Sequence, residues 1–249
     1  MDDLTFWMAA VLASVCVGLA KGGLSLVGAL AVPILALTIS PVTAAAMLLP
    51  VFVVSDVIGL IAYRRQVDPV VLKIMMVAMP LGVLVGYLTV DIVSDAVVTT
   101  IIGAIGAVFS LSLIMRRKAD VPPKSPAWPA GLFWGGITGF TSFVSHTGAV
   151  PYQVFTLPLR MPKMIFAGTV TVAFAYINLI KLIPYFLLGQ LSLGNLKIAV
   201  ILLAPAAIGV AAGLKLVKIL PERLFFRFIT GALLVLSCKL LWDGLTSLI

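Results

Sequence analysis

Charge is what this sequence has least of. Only 10% of its 249 residues are Asp, Glu, Lys or Arg, against about 25% in soluble domains. Hydrophobic residues make up 62%, where soluble chains run at roughly 45–50%, and the mean hydropathy is +1.21. No soluble core of this length buries so much apolar surface, so the solvent of this chain is mostly lipid. Histidine occurs once, which excludes bis-histidine haem ligation and leaves no metal-ligand cluster. The two cysteines, Cys16 and Cys238, both fall in apolar segments, and there is no CxxC, so a disulfide framework is excluded. No nucleophile–base set is visible. The chain is therefore read as a non-enzyme, with no metal and no cofactor. Acidic residues number 9 against 17 basic, a net charge of +8. The basic residues sit in short loops between apolar segments, which is a topology signal and not a nucleic-acid footprint. Nucleic acid is excluded as a partner, and the lipid bilayer takes its place.

The apolar stretches leave no room for a soluble domain, so residues 1–249 read as a single membrane domain. The start, Met1-Asp2-Asp3, lacks the positive region of a cleaved signal peptide, and the first apolar segment is expected to stay in the mature protein. A bilayer core about 30 Å thick takes about 20 apolar residues per helix. Ten apolar segments occur, near residues 5–20, 24–37, 42–63, 69–90 and 95–115, then 128–144, 147–159, 163–187, 193–216 and 222–242.

These ten segments are two sets of five. Gln66-Val67 with Leu72-Lys73-Ile74 recurs as Gln190-Leu191 with Leu196-Lys197-Ile198. Gly82 and Gly86 recur as Gly209 and Gly213; Pro33 recurs as Pro151, and Asp56 aligns with Asn178. The first two segments of each set are short and flank a Gly-rich or polar tip, Lys21-Gly22-Gly23 or Ser145-His146-Thr147-Gly148. Each such pair is read as a short helical hairpin, re-entrant or fully crossing, because broken backbone survives at membrane depth when buried in protein or lining a cavity. The fold class is thus an all-α integral membrane protein of two five-segment repeats, each a hairpin plus three transmembrane helices. The first repeat is 1–115, the linker 116–127 and the second repeat 128–249.

Basic residues set the orientation. If each hairpin returns to its starting side, Arg64, Arg65, Arg116, Arg117, Lys118, Lys124, Arg160, Lys163, Lys215, Lys218, Arg223 and Arg227 fall on one side. Asp2, Asp3, Asp91 and Asp95 fall on the other. The positive-inside rule then makes the repeats inverted, the linker cytoplasmic and both termini non-cytoplasmic. Inverted repeats that meet at the bilayer midplane are a common construction of secondary transporters. Exposed GxxxG faces permit a homodimer.

Gly18-Leu19-Ala20-Lys21-Gly22-Gly23, then Ala31-Val32-Pro33-Ile34-Leu35 and Ser40-Pro41, resembles the opening of the TauE/SafE sulfite-exporter family of bacterial membrane proteins. So does Asp56 with Tyr63-Arg64-Arg65; Ser145-His146-Thr147-Gly148 with Pro151, and Asn178 with Lys181 and Tyr185, resemble that family's second repeat. The resemblance covers nearly the whole chain. One departure stands out: the second tip lacks the Gly-rich triplet that many members carry in both hairpins. The resemblance implies a carrier for sulfite or organosulfonates such as sulfoacetate in the bacterial cytoplasmic (inner) membrane, expected here to act as an exporter by alternating access. The alternative is an uptake carrier or channel for thiosulfate- or sulfate-like anions.

The polar residues then take candidate roles. Lys21 at the first tip can hold an anion, helped by the N–H groups of Gly22 and Gly23; the competing reading is an ordinary cytoplasmic loop lysine. Lys181 and Asn178 share a face of one segment and can face the anion, unless Lys181 snorkels to the surface. His146, with Thr147 and Gly148, can donate to a sulfonate oxygen or couple transport to protons, or be a neutral histidine satisfied by its neighbours. Asp56 cannot hold an anion; it is expected to pair with Lys21, Lys181 or Arg64, or to carry a proton. Ser25 and Gln153 complete the candidate set, while Thr141, Ser142, Tyr152 and Thr171 are donors as readily explained by packing. The substrate is expected between the two hairpin tips near the midplane.

Overall fold

The computed structural model describes residues 3–90, 92–115, 122–189 and 193–248, without the side chains of Asp3, Pro41 and Leu193. Asp2, Asp91, Arg116, Arg117, Lys118, Gln190 and Leu191, which entered the repeat and topology readings, lie outside the described residues. So does the first part of the 116–127 linker.

The described chain is helical throughout. Its helices are α1 (Asp3–Lys21), α2 (Ala31–Ala36), α3 (Pro41–Tyr63), α4 (Pro69–Thr89), α5 (Asp95–Met115), α6 (Trp128–Val144), α7 (Ala149–Thr156), α8 (Lys163–Leu187), α9 (Leu193–Ile219) and α10 (Glu222–Leu248). Short 3₁₀ turns, Ser25–Leu30 and Leu157–Leu159, extend α2 and α7. Seven of these helices are long and apolar enough to cross a membrane: α1, α3, α4, α5, α8, α9 and α10. Side chains such as Leu84, Leu88, Ile101, Val108, Val235 and Trp242 are exposed on them. Water would reject that surface, whereas lipid accepts it. The protein is an all-α integral membrane protein.

Boundaries follow local chemistry. Ser40 caps α3, its hydroxyl accepting from the Thr43 N–H at 3.2 Å, and Pro41 stands at the first helical position. Asp68 caps α4 by accepting from the Val70 and Val71 N–H groups at 3.0 and 2.9 Å, with Pro69 next. Pro50, Pro80, Pro184 and Pro205 lie inside long helices, a use of proline that membrane helices tolerate.

One expectation needs correcting. Both arms of each hairpin were expected to be short, but α1 has 19 residues and is a full candidate span. The first arm of the second hairpin, α6, has 17 residues and is not among the candidate spans, and both second arms are short, each broken into a 3₁₀ piece and an α piece. The reason is that Gly18 and Lys21 at the end of α1 continue the helix up to a glycine cap, so α1 runs its whole apolar length.

The chain forms two compact units, Met1–Val67 with Met164–Leu220, and Asp68–Lys163 with Pro221–Ile249. Each draws on both sequence halves. In the first unit α1 and α3 pack on α9. Gly18 of α1 and Gly22 just past its end meet Gly209 and Gly213 of α9: a Cβ on Gly22 would lie 2.6 Å from the Gly213 Cα, and one on Gly18 would collide with the Ala206 carbonyl. In the second unit α5 packs on α10 and α4 on α6. There Gly82 faces the Gly136 carbonyl and the Phe140 N–H, and Gly86 faces Phe143. Small residues let these backbones approach closely. These GxxxG pairs, which also permit a homodimer, are used for packing within the chain. Of the linker, residues 122–127 have no regular secondary structure, and the Lys124 N–H donates to the Pro158 carbonyl at 3.0 Å.

Candidate functional site

The first unit contains a buried charged cluster. Lys21 is the last residue of α1, Asp56 lies in the middle of α3, and Asn178 and Lys181 lie one turn apart on α8. All four are 3–4% exposed. Lys21 Nζ is 2.7 Å from Asp56 Oδ1. The Asn178 amide donates to Asp56 Oδ2 at 2.8 Å. Lys181 interacts electrostatically with both Lys21 and Asp56. Lys21 Nζ also stands 5.0 Å from the centre of the Phe52 ring, within the range of a cation–π contact.

The burial decides between the readings of these residues. Lys21 is not a solvated loop lysine, and Lys181 does not snorkel to the surface. Among the three partners open to Asp56, Lys21 is the ion-pair partner, Lys181 a neighbouring charge. The described cluster sets two lysine side chains and one amide around a single carboxylate. Burying charge is costly unless it is paired, and here Lys21 and Asp56 pair with each other.

Three contacts bring α8 along α3 in the opposite direction. Gly168 of α8 meets Gln66 and Tyr63, Thr171 meets Gly59, and Asn178 meets Asp56. This pairing sets Asn178 and Lys181 against the carboxylate. It was not legible in the sequence, which has no signal for which face of α8 meets α3.

The tip after Lys21 differs from expectation. Gly22 donates its N–H to the Gly18 carbonyl at 2.9 Å, Gly23 to Ala20 at 3.0 Å and Leu24 to Leu19 at 3.1 Å. Gly23 has φ +108°. The Gly23 and Leu24 bonds make a Schellman cap, so the N–H groups of Gly22 and Gly23 are spent on closing α1. They are not an anion nest, and the role expected of them through those groups is corrected. Their service is geometric: the Tyr63 hydroxyl donates to the Gly22 carbonyl at 2.7 Å, tying the tip to the end of α3, and Gly22 packs on α9. Ser25 follows, half-buried, at the start of the 3₁₀ turn.

The other candidates belong to the second unit. His146 lies just past α6 with φ 55°, the left-handed conformation that only a few non-glycine residues, His among them, adopt with any frequency. It takes there the stereochemical place that Gly23 takes after α1, which explains how this tip forms without a Gly-rich triplet. The hydroxyls of Ser145 and Thr147 hydrogen-bond each other at 2.8 Å. The Thr147 N–H donates to Thr141 at 3.2 Å. Gly148 is pressed onto α6, where a Cβ would lie 2.7 Å from the Thr138 carbonyl. Gln153 is fully buried on α7, beside the equally buried Tyr152. Among the described residues no three His, Cys, Asp or Glu side chains are grouped as metal ligands.

Sequence reading missed Phe52 and Tyr63 as parts of the Lys21 surroundings. Phe52 is one apolar residue among many in α3 and carries no local signal. Tyr63 ends an apolar run next to Arg64 and Arg65, and reads as an interfacial aromatic.

A family model described as Sulfite exporter TauE/SafE matches residues 8–240. No curated protein and no solved structure matches the chain. The chain belongs to the TauE/SafE family, and membership implies a membrane transporter of sulfur-containing anions.

Proposed function

Starting from that membership, we propose that the protein is a secondary carrier that exports sulfite or a small organosulfonate such as sulfoacetate across the bacterial cytoplasmic membrane. The observation that carries this reading is the buried Lys21–Asp56–Asn178–Lys181 cluster, which places two lysines and an amide donor together inside an apolar protein. In the empty carrier Asp56 holds Lys21. An arriving anion is met by Lys181 and by the second N–H of the Asn178 amide, and draws Lys21 from Asp56. Because the carboxylate competes with the substrate for Lys21, binding stays weak enough for release.

The remaining readings fit the same carrier. The halves 1–115 and 128–249 act as inverted repeats whose rocking exposes the site to each side in turn, with 116–127 and the basic loops cytoplasmic and both termini outside. His146, Thr147, Gly148 and Gln153 are the candidate substrate contacts of the second hairpin. An inside-negative membrane favours outward movement of an anion by about 2.3 kcal/mol per charge per 100 mV. Export therefore needs no coupled ion.

Thermal stability of the detergent-purified protein tests the site, because a ligand that binds only the folded state raises the midpoint. Sulfite, thiosulfate, sulfate, sulfoacetate, taurine and chloride form the panel. A selective rise with sulfite or sulfoacetate, lost in Lys21→Ala and Lys181→Ala, is the expected result. An undiminished rise in both variants would remove the lysines from the site.

A second reading follows from Asp56 itself. A buried carboxylate beside the anion site suits proton-coupled uptake of a thiosulfate- or sulfate-like anion. Accumulation driven by an inward proton gradient, and abolished in Asp56→Asn, would favour uptake over export.

A further inference from the structure

Threonines inside helices normally satisfy their hydroxyl by donating to the carbonyl four residues back. This chain follows the habit closely. Thr89, Thr100, Thr138, Thr141, Thr156, Thr169, Thr230 and Thr246 all donate to the i−4 carbonyl, at 2.6–2.9 Å. Thr171 of α8 does not. Its hydroxyl is buried and has no hydrogen-bond partner among the described residues, and the residue is 2% exposed. A buried hydroxyl left unpaired is a cost with no structural return.

Its position gives the cost a purpose. The Thr171 methyl lies 2.7 Å, and the Lys21 carbonyl oxygen 2.9 Å, from where a Cβ on Gly59 would stand. Thr171 and the Lys21 backbone carbonyl therefore both pack against Gly59 of α3, and from there the Lys21 side chain reaches Asp56. Thr171 also lies two helical turns before Asn178, so both share one face of α8. The missing side chain at Gly59 is what admits the methyl, and with the methyl turned to α3 the hydroxyl is left over.

We propose that the Thr171 hydroxyl is a substrate-contacting donor that hydrogen-bonds an oxygen of the bound anion. This rests on the anion-site reading of the Lys21–Asp56–Asn178–Lys181 cluster and adds a neutral donor to it. The anion, once drawn toward the two ammonium groups, supplies the acceptor that the empty protein lacks.

Thr171→Val keeps the shape and removes the hydroxyl; Thr171→Ser keeps the hydroxyl. Each is compared with wild type and Lys181→Gln for thermal midpoint without ligand and for affinity toward sulfite, sulfoacetate and thiosulfate. A hydrogen bond to a charged group is worth about 10- to 150-fold in affinity. Thr171→Val is expected to weaken the bound anion by that factor, with an unliganded midpoint at or above wild type, since an unpaired polar group has been removed. Thr171→Ser is expected to bind within about threefold of wild type, as it retains the donor. Wild-type affinity in Thr171→Val overturns the proposal, and so does a lowered unliganded midpoint, which would reveal a structural partner. If Lys181→Gln loses binding while Thr171→Val does not, the Thr171 proposal fails alone. If Lys181→Gln binds as wild type, the anion-site reading fails. A wild-type protein that binds none of the three anions overturns both.

Discussion

Replacing Lys21 by methionine removes one charge and keeps most of the side-chain volume, so its effect measures the ion pair. Lys21 and Asp56 are each 3% exposed and their charged atoms are 2.7 Å apart. In Lys21→Met, Asp56 stays buried, with the Asn178 amide hydrogen bond at 2.8 Å remaining. Removing one partner of a buried pair costs up to about 3–5 kcal/mol, and in Lys21→Met the neighbouring Lys181 offsets part of it. Asp56→Asn alone leaves Lys21 and Lys181 with no carboxylate between them, the larger loss. The double variant Lys21→Met/Asp56→Asn buries neither charge of the pair, and is expected to be more stable than the sum of the two losses predicts. The coupling between the two sites should therefore reach at least about 2 kcal/mol, within the range of directly contacting residues. In a chain of this size, 1 kcal/mol moves the melting midpoint by about 2–4 °C. Each single variant should then melt below wild type, by up to roughly 20 °C, and by more for Asp56→Asn than for Lys21→Met. The assay is the thermal midpoint in one detergent at one protein concentration for all four proteins. Additive losses, with the double variant the least stable, would refute the claim that these side chains compensate each other.

Two further outcomes separate packing from conformation. Gly18→Ala should destabilise by about 1–3 kcal/mol or more, because its methyl would press on the Ala206 backbone of α9. Gly231→Ala, with nothing within 4 Å of the added carbon, should be neutral or stabilise by about 0.5–1 kcal/mol; melting midpoints check both. His146→Gly relieves a non-glycine residue held at φ 55° and should raise stability by about 1 kcal/mol. If His146 also touches the substrate, the same variant transports more slowly while melting later, and a lowered midpoint would contradict the strain reading.

Much of this architecture was legible in the sequence. The hydropathy runs placed nearly every helix to within a few residues, since that signal is local. The GxxxG spacing announced close helix packing, but not that its partners lie within the chain. Asp56 was recognisable as half of an ion pair; choosing Lys21 over Lys181 and Arg64 required the packing of α1 and α8 on α3. Gly22-Gly23 after a lysine looks the same as an anion nest or as a helix cap until the destinations of its N–H groups are known. Thr171 reads as one more polar residue in an apolar helix. Only the absence of its expected bond to Ala167 sets it apart.

The most direct measurement is efflux of sulfite and sulfoacetate from proteoliposomes holding wild type or Lys181→Gln, with and without an imposed inside-negative potential. Wild type should show saturable efflux that the potential accelerates, by up to about 2.3 kcal/mol of added driving force per charge at 100 mV. Lys181→Gln, incorporated and folded, should show none. Efflux that ignores the potential, or that persists unchanged without Lys181, would contradict an electrogenic carrier built on this cluster.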